Sequence, residues 1–238
     1  KDPAIPKAKQ CPFDCGLCDL HLSHTALANV DLTNRCNLKC PICFANANSA
    51  GYVYEPEFET VVDMLKLLRA QRPVPCPAVQ FSGGEPTIYP RFFDIIKVAR
   101  ELGFAQVQAA TNGIEFAKSV DFCRKASEAG LNTIYLQFDG LRPEIYERAR
   151  GKNLLDVKQK VIDNYRKVPN HPSIVLVPTI VKGVNDDPAV VLRLNHLLLM
   201  MRVKPYYIFQ CDLNEGNSHL RTTVDKGLEI LEALRGWT

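Results

Sequence analysis

Residues 35–44 read RCNLKCPICF and residues 83–87 read GGEPT, and each stretch follows a short apolar run. Those runs, Asn29–Thr33 and Ala78–Ser82, have the length and composition of strands buried on both faces. Loops that follow successive parallel strands meet at the carboxyl edge of the sheet, where parallel α/β folds place their chemistry. We therefore expect the Cys-rich and Gly-rich stretches to lie side by side.

The rest of the chain alternates strand-like and helix-like segments. The other predicted strands are Ala105–Thr111, Thr133–Asp139, Ile174–Val181 and Pro205–Cys211. Helical patterns cover Phe58–Gln71, Arg91–Leu102, Glu115–Ala129, Leu155–Lys167, Pro188–Met201 and Thr222–Leu234. Six alternating units predict an α/β fold with parallel strands, and a closed eight-unit barrel needs about 250 residues. We expect a partial, open (β/α)6 TIM-like barrel over residues 29–238, preceded by an N-terminal extension over residues 1–28.

Composition excludes several classes of protein. The chain has 238 residues, 46% of them hydrophobic and 23% charged, which excludes disordered and fibrous chains. A net charge of +3 gives no reason to expect nucleic acid as a partner. No apolar run approaches the roughly 18 residues of a transmembrane helix, so we expect no membrane span. Nine cysteines in a chain that needs no disulfides, with no secretory signal, predict a reducing, cytoplasmic location.

Six of those cysteines form two trios with the same spacing, C-x3-C-x2-C. Cys36, Cys40 and Cys43 follow the first strand, and Cys11, Cys15 and Cys18 lie in the extension. Structural zinc prefers four ligands, usually as two separated pairs, whereas three thiolates can hold three irons of a [4Fe–4S] cluster and leave the fourth iron open. The spacing therefore favours an iron–sulfur cluster with an open iron. Of the remaining cysteines, Cys123 lies in an apolar-periodic stretch and is expected to be buried.

The two motifs, in this order after successive strands, resemble the radical S-adenosylmethionine superfamily. The resemblance implies that Cys36, Cys40 and Cys43 are the catalytic cluster ligands. In that family the open iron chelates the methionine part of S-adenosyl-L-methionine, whose reductive cleavage gives a 5′-deoxyadenosyl radical that abstracts hydrogen from a C–H bond. It also implies an electron donor such as flavodoxin or ferredoxin.

The resemblance further implies a set of cofactor-binding residues. They are Phe44, Gly83, Gly84, Glu85, Asn112, Gln137 and Asp139. The two glycines would let backbone approach the methionine part, and Glu85 would accept hydrogen bonds from its ammonium. The family often has an aromatic residue before the third cysteine, where this chain has Ile42. The alternative for the polar residues is that they cap strand ends or form turns, and Arg148 and Arg150 could pair with a carboxylate or remain solvated.

Residues 11–185 resemble more narrowly the archaeal radical enzymes described as tetraether lipid synthases or pterin-modifying methylases. The segments that carry this resemblance are CPFDCGLC, SHTALANVDLTNRCNLKCPICFANAN, VQFSGGEPT, TIYLQFDG and VPTIVKGVND. It implies an auxiliary site at Cys11, Cys15 and Cys18, either a second [4Fe–4S] cluster or a mononuclear iron. A zinc site or an incomplete site are the alternatives, and His21, His24 or a distant cysteine could complete the ligands.

Residues 184–238 instead resemble the end of the barrel in lysine and glutamate 2,3-aminomutases. Asp212 matches a carboxylate that holds the substrate's amino group there. Those enzymes carry pyridoxal phosphate on a lysine beyond the barrel, and since the chain stops at Thr238 we predict no pyridoxal phosphate. Two such different resemblances suggest a recombined, reconstructed or designed sequence. A non-catalytic zinc or iron module is the alternative to an enzyme, and the substrate, a small molecule or a lipid, stays open.

Overall fold

The computed structural model describes residues 25–43, 45–72, 74–200, 205, 208–211, 213 and 218–235. Five strands form one sheet in the order β1-β2-β3-β4-β5, and every pairing is parallel. The strands are β1 (Ala28–Thr33), β2 (Ala78–Gly83), β3 (Gln106–Thr111), β4 (Thr133–Gln137) and β5 (Ser173–Val177). The strands are neighbours in the sheet in the same order as in the chain. Each connection therefore runs back across one face of the sheet and enters the adjacent strand in the same direction. The predicted parallel α/β fold is confirmed.

The helices fill the connections between the strands. They are α1 (Phe58–Arg69), α2 (Phe92–Glu101), α3 (Ile114–Lys118), α4 (Val120–Ala129), α5 (Pro143–Arg150), α6 (Leu155–Tyr165), α7 (Pro188–Met200) and α8 (Val224–Leu234). Two short 3₁₀ turns lie at Pro86–Ile88 and Ser218–Leu220. No helix in the described ranges is long and apolar enough to cross a membrane.

The predicted fifth strand is interrupted. Residues 174–181 form β5 and a separate two-residue strand, β6 (Thr179–Ile180), with Pro178 between them. Proline has no backbone N–H to donate to a ladder, so the strand breaks there. The β6 strand pairs in parallel with β7 (Phe209–Gln210), and Leu176 forms an isolated bridge with Pro205. The described residues therefore form a five-stranded sheet beside a two-stranded one, and no closed barrel.

Two helix predictions need correction. The predicted helix Glu115–Ala129 is two helices, because Ser119 adopts an extended backbone and its side chain accepts a hydrogen bond from Phe122 N. This N-cap starts α4 directly after α3 ends. The sequence prediction also lacked α5, a short helix with Pro143 at its start and Gly151, in a left-handed conformation, at its end.

The hydrophobic core lies between the sheet and the helices that pack on it. Val79 and Phe81 in β2, Val107 and Ala109 in β3, and Ile134 in β4 are fully buried. Their neighbours in the same cluster include fully buried residues of α1, α2 and α4, among them Leu65, Ile95, Ile96 and Ala126. This core holds the strands rigidly, so the loops at their carboxyl ends start from fixed positions.

The ends of β1 and β2 approach each other very closely at Gly83 and Gly84. A Cβ atom on Gly83, whose φ is +119°, would lie 2.3 Å from the Thr33 carbonyl oxygen, and one on Gly84 would lie 2.1 Å from that of Arg35. The Gly84 N–H donates to the Thr33 carbonyl at 2.6 Å. Both glycines are therefore needed for contact between two loops of this chain, whether or not a ligand also approaches them.

We predict that Gly84→Ala destabilises the protein by about 3 kcal/mol or more, because the added methyl group meets backbone that cannot move without breaking the β1–β2 pairing. Equilibrium denaturation in urea measures this loss. Gly51→Ala is the control: its φ is +78°, but nothing lies within 4 Å of the new Cβ. It should cost only about 1 kcal/mol of backbone strain. Equal losses in the two variants would contradict the close-contact explanation.

Candidate metal and cofactor site

Three thiols lie close together on the loop that follows β1. Cys36, Cys40 and Cys43 are each half-buried and form no disulfide. Burial, together with the nearby charges of Glu85, Cys40 and Cys43, raises the pKa of the Cys36 thiol to about 11. Burial also raises the pKa of Cys40. A thiol in such surroundings gives up its proton when a metal supplies the compensating positive charge.

Two of the three sulfur atoms accept a backbone hydrogen bond from this chain, and the third lies near a cation. Leu38 N donates to Cys36 Sγ at 3.4 Å and Ala47 N to Cys43 Sγ at 3.5 Å. At Cys40 the positive charge of Arg150 opposes the rise of the thiol's pKa. Donors and cations of this kind stabilise sulfur that carries negative charge, as in a metal-bound thiolate, so the loop fits a thiolate-ligated centre.

The described residues offer no ready site for a single ion. Ligands that share one tetrahedral zinc through 2.3 Å bonds hold their sulfur atoms about 3.8 Å apart. Within the described ranges, no three His, Cys, Asp or Glu side chains are grouped so that they could share one ion. A [4Fe–4S] cluster takes one thiolate on each of three irons, and so accepts thiols spaced more widely than a single ion allows.

Asn48 closes the cysteine loop on itself. Its side-chain Oδ1 accepts from the Cys36 backbone N at 3.1 Å, and its Nδ2 donates to the carbonyl oxygens of Cys36 at 2.8 Å and of Leu38 at 3.0 Å. Asn48 has φ of +65°, a left-handed conformation that asparagine tolerates better than most residues. One side chain thus fixes the start of the loop at three points.

A cavity of about 310 Å³ opens beside this loop. Its lining combines the first half of the loop with the end of α5. The lining residues are Cys36, Asn37, Leu38, Lys39, Asn48, Arg150, Gly151 and Lys152. Three of these residues are cations, so this side of the loop favours negatively charged groups.

Glu85 is a buried carboxylate whose oxygens are engaged by the chain itself. Its Oε1 accepts from Thr87 Oγ1 at 2.5 Å, from Thr87 N at 3.2 Å and from Thr111 Oγ1 at 2.7 Å, and its Oε2 accepts from Asn112 N at 2.8 Å. Burial raises the pKa of Glu85, while these four hydrogen bonds oppose that rise. The carboxylate therefore joins the ends of β2 and β3.

Asn112, directly after β3, uses all of its polar groups. Beyond its bond to Glu85, its Nδ2 donates to Asn37 Oδ1 at 2.7 Å and lies 3.8 Å from Cys36 Sγ. Its Oδ1 accepts from Ile114 N at 2.9 Å, which starts α3, and its carbonyl oxygen accepts from Lys158 Nζ at 2.5 Å. Asn112 therefore forms the turn after β3, which was one of the two roles expected for it, and its side chain also contacts the cysteine loop at Asn37.

Gln137 and Asp139, at the end of β4, are hydrogen-bonded to each other. Asp139 is fully buried and forms a two-point ion pair with Arg150, with Nη2 to Oδ1 at 2.6 Å and Nε to Oδ2 at 2.8 Å. Because Arg150 also contacts Cys40, the pair connects β4 to the cysteine loop. Of the two alternatives for Arg150, pairing with a carboxylate is the one observed, whereas Arg148 donates to the Gly183 carbonyl oxygen instead.

The other candidate residues fall into two groups. Cys76, Cys123 and Cys211 are buried, and the Cys123 thiol donates to the Phe116 carbonyl oxygen. Cys11, Cys15, Cys18, Phe44 and Asp212 lie outside the described residues.

Sequence reasoning missed two residues of the site, Asn48 and Lys158. Lys158 could have been found from the sequence, because it shares the helical spacing of the buried residues Leu154, Val161 and Tyr165. Lysine is rarely fully buried, so its position on this apolar face is unusual. Asn48 had no such signal, because its neighbours Asn46 and Ser49 are equally plausible turn residues.

Two kinds of curated relative each match part of this chain. A 7,8-dihydro-6-hydroxymethylpterin dimethyltransferase of Methanocaldococcus jannaschii is 59% identical over 177 residues, which are 74% of this chain and 34% of that protein. An L-lysine 2,3-aminomutase of Fusobacterium nucleatum is 58% identical over 59 residues, 25% of this chain and 14% of that protein. This chain thus spans about a third of the pterin enzyme's length, and the aminomutase match covers a much smaller part.

Solved structures with the same fold have low sequence identity. Streptococcus suis SuiB bound to S-adenosylmethionine superposes with a TM-score of 0.69 at 17% identity, covering 88% of this chain and 47% of that one. The anSMEcpe structure with bound AdoMet and a Cp18Cys peptide gives a TM-score of 0.68 at 17% identity, covering 88% and 58%. The sequence pattern of the radical SAM superfamily matches residues 30–194. The chain belongs to the radical SAM superfamily of enzymes.

Proposed function

We propose that this chain is the catalytic core of a radical SAM enzyme in which Cys36, Cys40 and Cys43 hold a [4Fe–4S] cluster and S-adenosyl-L-methionine is cleaved reductively. The observation that carries this proposal is that the Cys36 and Cys43 sulfur atoms accept backbone hydrogen bonds and the Arg150 charge favours the thiolate form of Cys40. When bound, the two groups supply a 5′-deoxyadenosyl radical that abstracts hydrogen from a substrate C–H bond. The chain's part is to hold thiolates, exclude water and orient the cofactor.

We further propose that S-adenosyl-L-methionine lies against the carboxyl ends of β2, β3 and β4. Gly83, Gly84 and Glu85 would contact it mainly through backbone, because the Glu85 carboxylate already accepts four hydrogen bonds. Asn112, Gln137, Asp139 and Phe44 complete the proposed set. Asp139 would act through its ion pair with Arg150, which leaves the guanidinium facing the loop.

For the substrate we propose a pterin-like ring, in line with the pterin substrate in the name of the Methanocaldococcus jannaschii relative. A long-chain lipid C–H bond, suggested by the tetraether-synthase resemblance, is the second candidate within this class. An aminomutase-like reaction on an amino acid is supported by the shorter match. Incubating the reconstituted protein with each candidate substrate in deuterium-labelled form, and measuring which label is transferred to 5′-deoxyadenosine, distinguishes the three.

Several further proposals concern the surroundings of the core. We propose an auxiliary iron site, a second [4Fe–4S] cluster or a mononuclear iron, at Cys11, Cys15 and Cys18. We also propose a cytoplasmic location and a flavodoxin- or ferredoxin-type electron donor, since free thiols and a low-potential centre require reducing conditions. That the chain joins two ancestries is a hypothesis that one natural sequence matching it throughout would refute.

We predict that the anaerobically reconstituted protein, given a strong reductant, converts S-adenosyl-L-methionine to 5′-deoxyadenosine, and that Cys36→Ala abolishes this conversion. The loss is expected because Cys36 is one of three ligands. Liquid chromatography of the products measures it, alongside iron and sulfide content per chain. Cys123→Ala is the matched control, since Cys123 is buried away from the loop in α4. Normal cleavage by Cys36→Ala would overturn the assignment.

A further variant, Cys11→Ala, tests the proposed auxiliary site separately from the first cluster. Cys11→Ala should keep the cleavage activity and lose iron from the auxiliary site, lowering iron from about eight to about four atoms per chain if that site is a [4Fe–4S] cluster. An unchanged iron content in Cys11→Ala would argue against an auxiliary centre there.

We also predict that Asn48→Ala speeds the loss of iron from the reconstituted protein to a chelator by at least about tenfold, the range seen when outer-shell partners of metal ligands are removed. Asn48→Gly keeps the left-handed backbone and loses the same hydrogen bonds, so it should behave similarly. The control is Asn46→Gly, because Asn46 also has a positive φ (47°) but its side chain bonds no other described residue. Iron loss at the unchanged rate in both Asn48 variants would show that the loop does not depend on this side chain.

A further inference from the structure

Lys158 is a fully buried cation directly behind the cofactor site. Its Nζ donates to the Asn112 carbonyl oxygen at 2.5 Å and to Gln137 Oε1 at 3.1 Å, and lies 5.9 Å from the ring centre of Tyr146. Those two hydrogen bonds link the ends of β3 and β4. Lys158 thus contacts Asn112 and Gln137, two of the proposed cofactor-binding residues, and makes no hydrogen bond to the described residues of the cysteine loop.

The position is a costly one for a charged lysine. Burial lowers the pKa of Lys158 to about 7, and the neighbouring charge of Arg150 lowers it too, whereas those of Asp139, Glu85 and Cys40 raise it. The residue lies in the first turn of α6, where the positive end of the helix dipole disfavours a cation. A neutral side chain of similar length would avoid both penalties, so the charge is the property of this side chain that needs an explanation.

The charges around the loop show what that use is. Glu85 and Asp139 are buried carboxylates, and Arg150 and Lys158 are buried cations. Arg150 is neutralised directly by Asp139, whereas Lys158 has no carboxylate within salt-bridge distance in the part of the chain that the structure describes. Its positive charge acts on Asp139 and Glu85 and, more weakly, on Cys40. It reaches the cysteine loop through Asn112, whose Nδ2 lies 3.8 Å from Cys36 Sγ.

We propose that Lys158 is a positioning residue that fixes Asn112 and Gln137 and supplies a buried positive charge favouring the reduced state of the centre held by Cys36, Cys40 and Cys43. The inference rests on the proposed function, since it requires an iron–sulfur cluster at these cysteines. A nearby cation stabilises the more negative, reduced state, so it raises the reduction potential.

The test compares the midpoint potential of the reconstituted cluster in four proteins, measured by an anaerobic redox titration followed by electron paramagnetic resonance, without substrate. Lys158→Met removes the charge at nearly constant length, and Lys158→Gln removes the charge but keeps a hydrogen-bond donor. Lys158→Arg keeps the charge. The control is Lys160→Met, which removes a charge from the exposed side of the same helix.

We expect a more negative midpoint potential in Lys158→Met and Lys158→Gln, and a potential close to that of the unchanged protein in Lys158→Arg and Lys160→Met. Equal shifts in Lys158→Met and Lys158→Gln would show that the effect comes from the lost charge and not from the lost hydrogen bonds. If Lys158→Met does not fold, the potential of Lys158→Gln alone tests the proposal. A cluster of normal iron content with an unchanged potential in the neutral variants would overturn this inference alone. Failure of the unchanged protein to take up a [4Fe–4S] cluster would overturn the proposed function and this inference with it.

Discussion

The site depends on one hydrogen-bonded junction, the pairing of Glu85 with Asn112. The Glu85 carboxylate accepts the Asn112 N–H and two threonine hydroxyls, and so ties the end of β2 to the end of β3. Asn112 then reaches the cysteine loop through Asn37 and α6 through Lys158. Because buried polar groups without partners are costly, these bonds hold only when all their members are in place. The geometry of the cysteine loop is in this way coupled to two strands, β2 and β3, and to the helix α6.

A second feature is the balance of buried charge. Two buried carboxylates and two buried cations lie around the loop, and the direct pairing of Asp139 with Arg150 leaves Glu85 and Lys158 without a direct ionic partner among the described residues. A site that holds three thiolates gains negative charge on loading, so a cation placed in advance lowers the cost of that state. Glycines at positions 83 and 84 allow the loops to come close enough for these groups to interact.

Much of this could be read from the sequence, for identifiable reasons. Strand positions followed from apolar runs, and helices such as α1 and α6 from their periodicity, because the pattern of burial is written directly into residue type. The cysteine trio and the Gly-Gly-Glu segment could be placed at one sheet edge because parallel strands share their direction. The break at Pro178 and the helix start at Ser119 also carry local signals, which the prediction overlooked in favour of longer periodic segments.

The sequence by itself determined the fold class and the position of the cysteine and glycine motifs at the carboxyl edge of the sheet. Both depend only on residue type and on spacing along the chain. Only the tertiary structure decided what the polar residues do. Glu85 became a junction between strands, Arg150 a partner of both Asp139 and Cys40, and Lys158 a buried cation behind Asn112. The physical reason is that these hydrogen bonds join residues far apart in the chain, 27 positions for Glu85–Asn112 and 46 for Asn112–Lys158, and no local pattern encodes such a pairing.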